Sequence, residues 1–91
     1  MKILHYSTQF KKDFKRYRNQ PKKLAKLLEV LRMLENEENL PAELKAHKLA
    51  GEYKDCMECH IAGDFLLIWF DDEKGTVDLI RLGNHSELFK D

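Results

Sequence analysis

Phe65-Leu66-Leu67-Ile68-Trp69-Phe70 is the longest uninterrupted apolar run in the sequence, closed by Asp64 on one side and Asp71-Asp72 on the other. A short run of this kind, with aromatic and β-branched members, suits a strand covered on both faces. Ala62-Gly63 just before it provides a tight turn, so residues 53–62 and 65–70 read as two strands of a hairpin. Asp71 to Gly75 is a second polar turn, and Thr76 to Leu82, with Val77, Leu79, Ile80 and Leu82, reads as the third strand of a meander. A strand buried on both faces needs cladding, and the chain before it must supply that cladding.

The first half of the chain supplies it as helices. Ile3 to Tyr6 is a short strand candidate, and Ser7 offers a side-chain oxygen for an N-cap. Phe10, Phe14 and Tyr17 come next at helical spacing, with Lys11, Lys12, Lys15, Arg16 and Arg18 around them. Pro21 fits the first turn of a second helix, whose apolar stripe is Leu24, Leu27, Leu28, Leu31 and Leu34. Leu40-Pro41 opens an irregular connection with a turn of helix at 41–45, and Gly83-Asn84-His85-Ser86 is a turn before a packed-back terminus. The order β-α-α-β-β-β is that of an α+β fold: two N-terminal helices on one face of a small, mostly antiparallel sheet, the other face partly open. At 91 residues the chain has room for one compact core, so one domain over 1–91 is expected.

The formal net charge is zero, but it is unevenly distributed. Residues 1–32 carry ten Lys/Arg against Asp13 and Glu29; the remainder carries six against fourteen acids. A basic first third is consistent with an anionic partner such as nucleic acid, with Lys11, Lys12 and Lys15 as its candidate contacts. The start, Met-Lys-Ile-Leu-His-Tyr-Ser, carries no signal-peptide h-region, and no apolar stretch approaches the length of a membrane helix. A soluble cytoplasmic protein with reduced cysteines and no membrane partner is expected.

Cys56-Met57-Glu58-Cys59-His60 spells C-x-x-C-H, the pattern of c-type haem attachment. In the strand expected here, residues three apart face opposite sides and lie roughly 10 Å apart. That separation defeats haem attachment, and it defeats a Cys56–Cys59 disulfide, which needs Cα atoms within ~7 Å. A zinc site would want a second ligand pair, and the chain has no other cysteine. The expectation is two thiols packed as small apolar groups, with no haem, metal or other cofactor.

His47, His60 and His85 each stand at an element boundary, where side chains can converge at one end of a sheet. Histidine titrates near neutrality and can give and take protons. Two histidines, a carboxylate and an arginine are the parts for cutting RNA without metal. A base takes the ribose 2′-OH proton, the oxygen attacks phosphorus, an acid protonates the departing 5′-oxygen, and a cation steadies the phosphate. His5, in the first strand, reads as an ordinary surface or core residue.

The blocks His47-x-Leu49-x-Gly51-x-Tyr53-Lys54, Glu58-Cys59-His60-Ile61, Asp64-Phe65-Leu66-Leu67-Ile68 and Arg81-Leu82-Gly83-Asn84-His85-Ser86-Glu87-Leu88-Phe89 resemble the YafQ-type toxins of bacterial toxin–antitoxin modules, within the RelE/ParE superfamily. The resemblance covers nearly the whole chain. It implies a ribosome-dependent endoribonuclease that cuts mRNA in the ribosomal A site, and a cognate antitoxin that neutralises it by binding. The family's functional histidines fall on His47, His60 and His85, its carboxylate on Asp64 and its arginine on Arg81. On that basis His47 or His60 is expected as base, His85 as acid, Arg81 as phosphate clamp and Asp64 as an orienting group. The aromatic after the carboxylate is Phe65, able to stack on a base, and Phe89 matches the C-terminal aromatic. Lys48 and Lys54 join the basic face as expected substrate contacts. Two departures stand out: Met57 replaces an arginine common before the acidic residue of the His60 strand, and Asn84 stands where Ser or Thr is frequent. The superfamily also has a gyrase-directed branch, which lacks this histidine set; a catalytically inactive antitoxin binder is the other alternative, favoured only by Met57.

Overall fold

The computed structural model describes residues 1–89, in the order β1 (Ile3–Tyr6), α1 (Thr8–Arg16), α2 (Pro21–Glu35), β2 (His47–Lys48), β3 (Met57–Ala62), β4 (Phe65–Asp71), β5 (Thr76–Gly83) and α3 (His85–Leu88). Single turns of 3₁₀ helix sit at Ala42–Leu44 and Gly51–Tyr53. The strands form one sheet in the order β1-β5-β4-β3-β2. Every neighbouring pair is antiparallel except β1, which lies parallel to β5. This is the expected α+β architecture, with α1 and α2 layered on one sheet face.

Local signals explain the helix starts. The Ser7 hydroxyl oxygen accepts from the Phe10 N–H at 3.0 Å, capping α1, and its O–H donates to the Ile80 carbonyl, tying that start to β5. Pro21 occupies the first turn of α2, where its missing N–H is no loss. The central strand β4 divides its side chains between two cores. Phe65, Leu67 and Trp69 meet Phe10, Tyr17, Leu27, Val30 and Leu31 from the helices. Leu66 and Ile68 face the other way, onto Leu88 of α3 and Leu49, Tyr53, Cys56 and Ile80. Covering on both faces is what an unbroken apolar strand requires.

Several details differ from the sequence-based reading. The first strand of the hairpin begins at Met57 rather than Tyr53, because residues 51–53 turn and Asp55 takes a positive φ of 72°. The connection before it contributes the two-residue edge strand β2, too short to carry a periodic signal. In α2, Leu28 is 59% exposed, while Val30 is buried in its place. Finally, His85 opens α3 rather than lying in a turn: Asn84 caps the helix, its side chain accepting from Glu87 N–H at 2.9 Å while Glu87 accepts from Asn84 N–H at 2.9 Å.

Gly83 makes that cap possible. A Cβ at this position would lie 2.6 Å from Glu87 Oε1, the atom that closes the capping box. Gly83→Ala is expected to lower stability by ~1–3 kcal/mol in urea unfolding, the usual cost of overpacking. It should also broaden the His85 ring resonances in NMR spectra, while the signals of α2 stay put.

Candidate active site

Alternation along β3 sorts the site from the core. Cys59 and Ile61 point into the helical core, with Met57 packed at its margin, whereas Glu58 and His60 point to the opposite sheet face. On the adjacent edge strand, His47 is the direct cross-strand partner of Glu58. The β3–β4 turn presents Asp64, and β5 leads through Gly83 into α3, which brings His85 across to meet it. His47, His60 and His85 therefore form a row on one face: ring centroids are 6.5 Å apart for His47–His60 and 5.9 Å for His60–His85.

Two of the three histidines are held by a hydrogen-bond acceptor. Asp64 Oδ1 lies 2.6 Å from His85 Nδ1 and also accepts the His85 backbone N–H at 3.1 Å. Those two bonds hold the Asp64 carboxyl below the usual aspartate range, so it stays an acceptor. His85 therefore carries its proton on Nδ1 and leaves Nε2 for other partners. His47 Nδ1 lies 2.9 Å from the Lys45 carbonyl oxygen, which can only accept, so Nδ1 is the donor and Nε2 faces elsewhere. That Nε2 lies 3.4 Å from Glu58 Oε1, and His60 Nε2 lies 3.8 Å from the same oxygen. Glu58 is buried, and its Oε2 has no hydrogen-bond partner among the described residues. One buried carboxylate oxygen thus lies between the two imidazoles. Phe89, 37% exposed, sits beside His85 with centroids 5.8 Å apart and meets Tyr53 edge-on.

Arg81 reaches the same face by way of a bulge. Ile68 pairs with Arg81 and Trp69 with Leu79, so Ile80 is an extra residue on β5 that re-aims Arg81 beyond it. The Arg81 guanidinium donates through Nε and Nη2 to Asp13, at 2.8 and 3.2 Å, and through Nη1 to the Tyr53 hydroxyl at 3.3 Å. Asp13 is fully buried and also accepts the Leu82 N–H at 3.0 Å and the Gln9 side chain at 3.1 Å. Burial pushes the Asp13 carboxyl up, but the bonds from Arg81, Leu82 and Gln9 outweigh it and leave it below the ordinary value. Arg81 is thus anchored, with its side chain 16% exposed.

With this geometry in view, comparison with known proteins decides the family. Residues 2–90 match the family model described as "Bacterial toxin of type II toxin-antitoxin system, YafQ". The chain belongs to the YafQ family. It is 33% identical to the mRNA interferase toxin YafQ of Escherichia coli K12, over 94% of each chain. Its fold superposes on the E. coli DinJ–YafQ complex with a TM-score of 0.85 at 31% identity, covering 98% of this chain and 99% of that one. It likewise matches a metal-bound toxin from Helicobacter pylori with a TM-score of 0.87 at 38% identity, covering 98% and 100%.

The YafQ-family site draws in some of the residues singled out in the sequence and leaves others out. Phe65 is the correction: it is 1% exposed, packed against Tyr17 with centroids 4.6 Å apart, and has no face free to stack on a base. Lys11 and Lys15 line an apolar groove with Phe10, Phe14 and Leu28 on the helical layer, across the sheet from the histidines. Lys12 is likewise exposed on α1, and Lys54 is exposed after the 3₁₀ turn. Lys48 alternates with His47 and lines a separate groove with Trp69 and Asp71. Met57 lies on the helical side of β3 and lines that same groove, so the missing arginine does not interrupt the row. Cys59 lies in the helical core and Cys56 in the opposite cluster, so the C-x-x-C pair straddles the sheet. Burial, with a smaller contribution from Glu58, pushes the Cys59 thiol up to about 12.

Glu58, Asp13 and Tyr53 were not marked out by their chemistry in the sequence. A signal for Asp13 was present: it falls at the i+3 position between Phe10 and Phe14, inside the apolar stripe of α1. Glu58 similarly shares a strand face with His60. Asp13 also gives a pH signature. A carboxyl whose folded pKa is depressed contributes stability above its unfolded value, near ~3.9, and loses it as pH falls through the folded one. Asp13→Asn is therefore expected to cost ~3 kcal/mol at pH 7, the scale for breaking a buried ion pair. Urea unfolding should show that gap from wild type narrowing steadily below pH ~4.

Proposed function

We propose that this toxin is an endoribonuclease that cuts mRNA in the ribosomal A site, without a metal ion, and is held inactive by a cognate antitoxin. The observation that carries the reading is the row of three imidazoles on one sheet face, with His85 fixed through Nδ1 on Asp64 and His47 through Nδ1 on the Lys45 carbonyl. The names of its relatives, mRNA interferase toxin in E. coli and a DinJ–YafQ complex, support the reaction and the partner.

In the reaction, His47 or His60 removes the proton from the ribose 2′-OH. Glu58 beside both rings stabilises the imidazolium that results. The 2′-oxygen attacks the adjacent phosphorus as the bond to the 5′-oxygen breaks, and His85, acting as the imidazolium with its Nδ1 proton held on Asp64, gives its Nε2 proton to the departing 5′-oxygen. The products are a 2′,3′-cyclic phosphate and a 5′-hydroxyl. Asp64 serves His85 as an orienting acceptor, the part a carboxylate plays in other histidine-based sites. Arg81, held by Asp13 and Tyr53, stabilises the charge that builds on the phosphate oxygens. Phe89 supplies the surface on which a base stacks, the part the sequence suggested for Phe65. The exposed Lys11, Lys12 and Lys15 meet ribosomal RNA rather than the scissile phosphate, because the sheet lies between them and the histidines. Lys54 stays with the mRNA contacts, and Lys48 leaves them.

Primer extension on an mRNA translated in a bacterial extract tests this, with wild type, His85→Ala, a ribosome-free control and an EDTA-treated arm on preassembled ribosomes. Cuts in register with codons, absent without ribosomes and at least ~100-fold weaker in His85→Ala, are expected. Loss of cutting in EDTA with ribosomes intact would remove the metal-free chemistry. A fully active His85→Ala would remove that residue as the acid. Reversing Lys11, Lys12 and Lys15 to Glu should weaken ribosome sedimentation with the toxin and flatten its salt dependence by about one contact per lysine. Unchanged binding would assign that face to another partner.

A further inference from the structure

The Asp13 carboxylate gathers more than Arg81. Arg16 Nη2 lies 3.3 Å from Asp13 Oδ1, the same oxygen to which Arg81 Nη2 donates at 3.2 Å. Arg16 Nη1 lies 3.1 Å from Glu87 Oε2, and Glu87 accepts the Tyr17 hydroxyl at 2.7 Å through its other oxygen. Two guanidinium groups therefore converge on one buried oxygen. Beside them, Gln9, Arg16, Arg81 and Glu87 line a cleft of about 490 Å³. A guanidinium has five N–H groups. Arg81 commits three of them to Asp13 and Tyr53, and Arg16 directs two at Asp13 and Glu87, so each keeps donors for a further acceptor.

We propose that Asp13 is a positioning residue that assembles Arg81 and Arg16 into a two-guanidinium seat for RNA phosphate, with Arg81 on the scissile group and Arg16 on its neighbour along the strand. This rests on the endoribonuclease reading and extends it by a binding residue, Arg16, and an organising one, Asp13. A backbone N–H such as that of Leu82 can be satisfied by any neutral acceptor. A fully buried carboxylate is needed only for its second task, gripping the arginine fork through two nitrogens. That grip removes the freedom a long side chain would otherwise lose on meeting the substrate. Asp13 and Glu87 balance the two guanidiniums, so the seat works through directed N–H groups rather than through an excess of positive field. Arg16 is 45% exposed and joins α1 to α3 through Glu87, so the α1 side of the seat is registered to the helix that carries His85.

The test is single-turnover cleavage of a short mRNA on a programmed ribosome, across a range of toxin and salt concentrations. Wild type is compared with Asp13→Asn, Arg81→Lys, their double variant and Arg16→Gln, each with its folding verified by circular dichroism. Asp13→Asn and Arg81→Lys should each lower the limiting rate by ~10–100-fold, the scale of losing alignment at a reacting group. The double variant should fall no further than the worse single one, because both changes break the same two-nitrogen grip of Asp13 on Arg81. Arg16→Gln should raise the half-saturating concentration by ~10-fold, the worth of one charge-assisted bond, with the limiting rate within ~2-fold of wild type. Its salt slope should drop by ~0.7, the value for one phosphate on a single strand. Losses that multiply in the double variant would make Asp13 independent of Arg81 and overturn the proposal, as would wild-type kinetics in Asp13→Asn and Arg16→Gln. Should Asp13→Asn not fold, Arg81→Lys and Arg16→Gln decide, and wild-type behaviour in both overturns it. A folded wild type that cuts nothing defeats the endoribonuclease reading itself, and the proposal with it.

Discussion

A single carboxylate at the unfinished edge of β5 holds the molecule's two halves in register. β1 pairs with β5 only as far as Leu79; beyond it the chain turns into α1, and the N–H of Leu82 would face no strand. Asp13 takes that N–H from the helix, as Ser7 takes the Ile80 carbonyl earlier along the same edge. A sheet edge with open polar groups is thereby closed by helix side chains rather than by a further strand. Because the same carboxylate carries Arg81, closing the edge and aiming the arginine are one event. α3 is joined to this corner through Glu87, Tyr17 and Arg16, which places His85 against Asp64.

The histidine row depends on a different kind of economy. From Met57 to Trp69 the β3–β4 hairpin is apolar toward the helices, and that face fixes its register. The opposite face is then free to hold polar groups that a two-sided core would not tolerate. Glu58 shows how far this goes: a buried carboxylate with one oxygen unpartnered among the described residues is costly unless neighbouring charge compensates. His47 and His60 are the polar side chains nearest to it, at 3.4 and 3.8 Å. Site and core thus share a strand, one residue apart, and a change of register by one would exchange them.

The elements with strong local signals were legible in the sequence: the hairpin around Gly63, the apolar strand after it, the Ser7 cap and the Pro21 start. The histidines, Asp64 and Arg81 were legible through family resemblance, and the structure brings His85 to Asp64 and His47 and His60 to Glu58. What escaped was set by tertiary geometry. Phe65 begins a strand, and nothing local says which face it takes; the bulge between His60 and Ala62 and the packing of Tyr17 decide that it turns inward. Leu28 fits the helical period but falls on the rim, where the layer has no neighbour to cover it. β2 owes its existence to Glu58 and Met57 as partners, not to its own two residues. Asp13 carried a signal, a charge inside an aromatic stripe, but its meaning required knowing which strand would lie beneath.

The parallel pairing of β1 with β5 has a temporal meaning. It joins segments far apart in sequence: the bond from Ser7 to Ile80 spans 73 positions. Contacts of such long range form late, since the entropy of closing the loop is lost before any of the pairing is gained. During synthesis β1 emerges before all the other strands of the sheet and waits for a partner, β5, that emerges after all of them. Arg81 and His85 sit on that same late segment. A chain that has emerged only as far as β4 has neither its sheet closed nor Arg81 and His85 beside the other histidines, so the candidate site is completed only with the last pairing of the sheet.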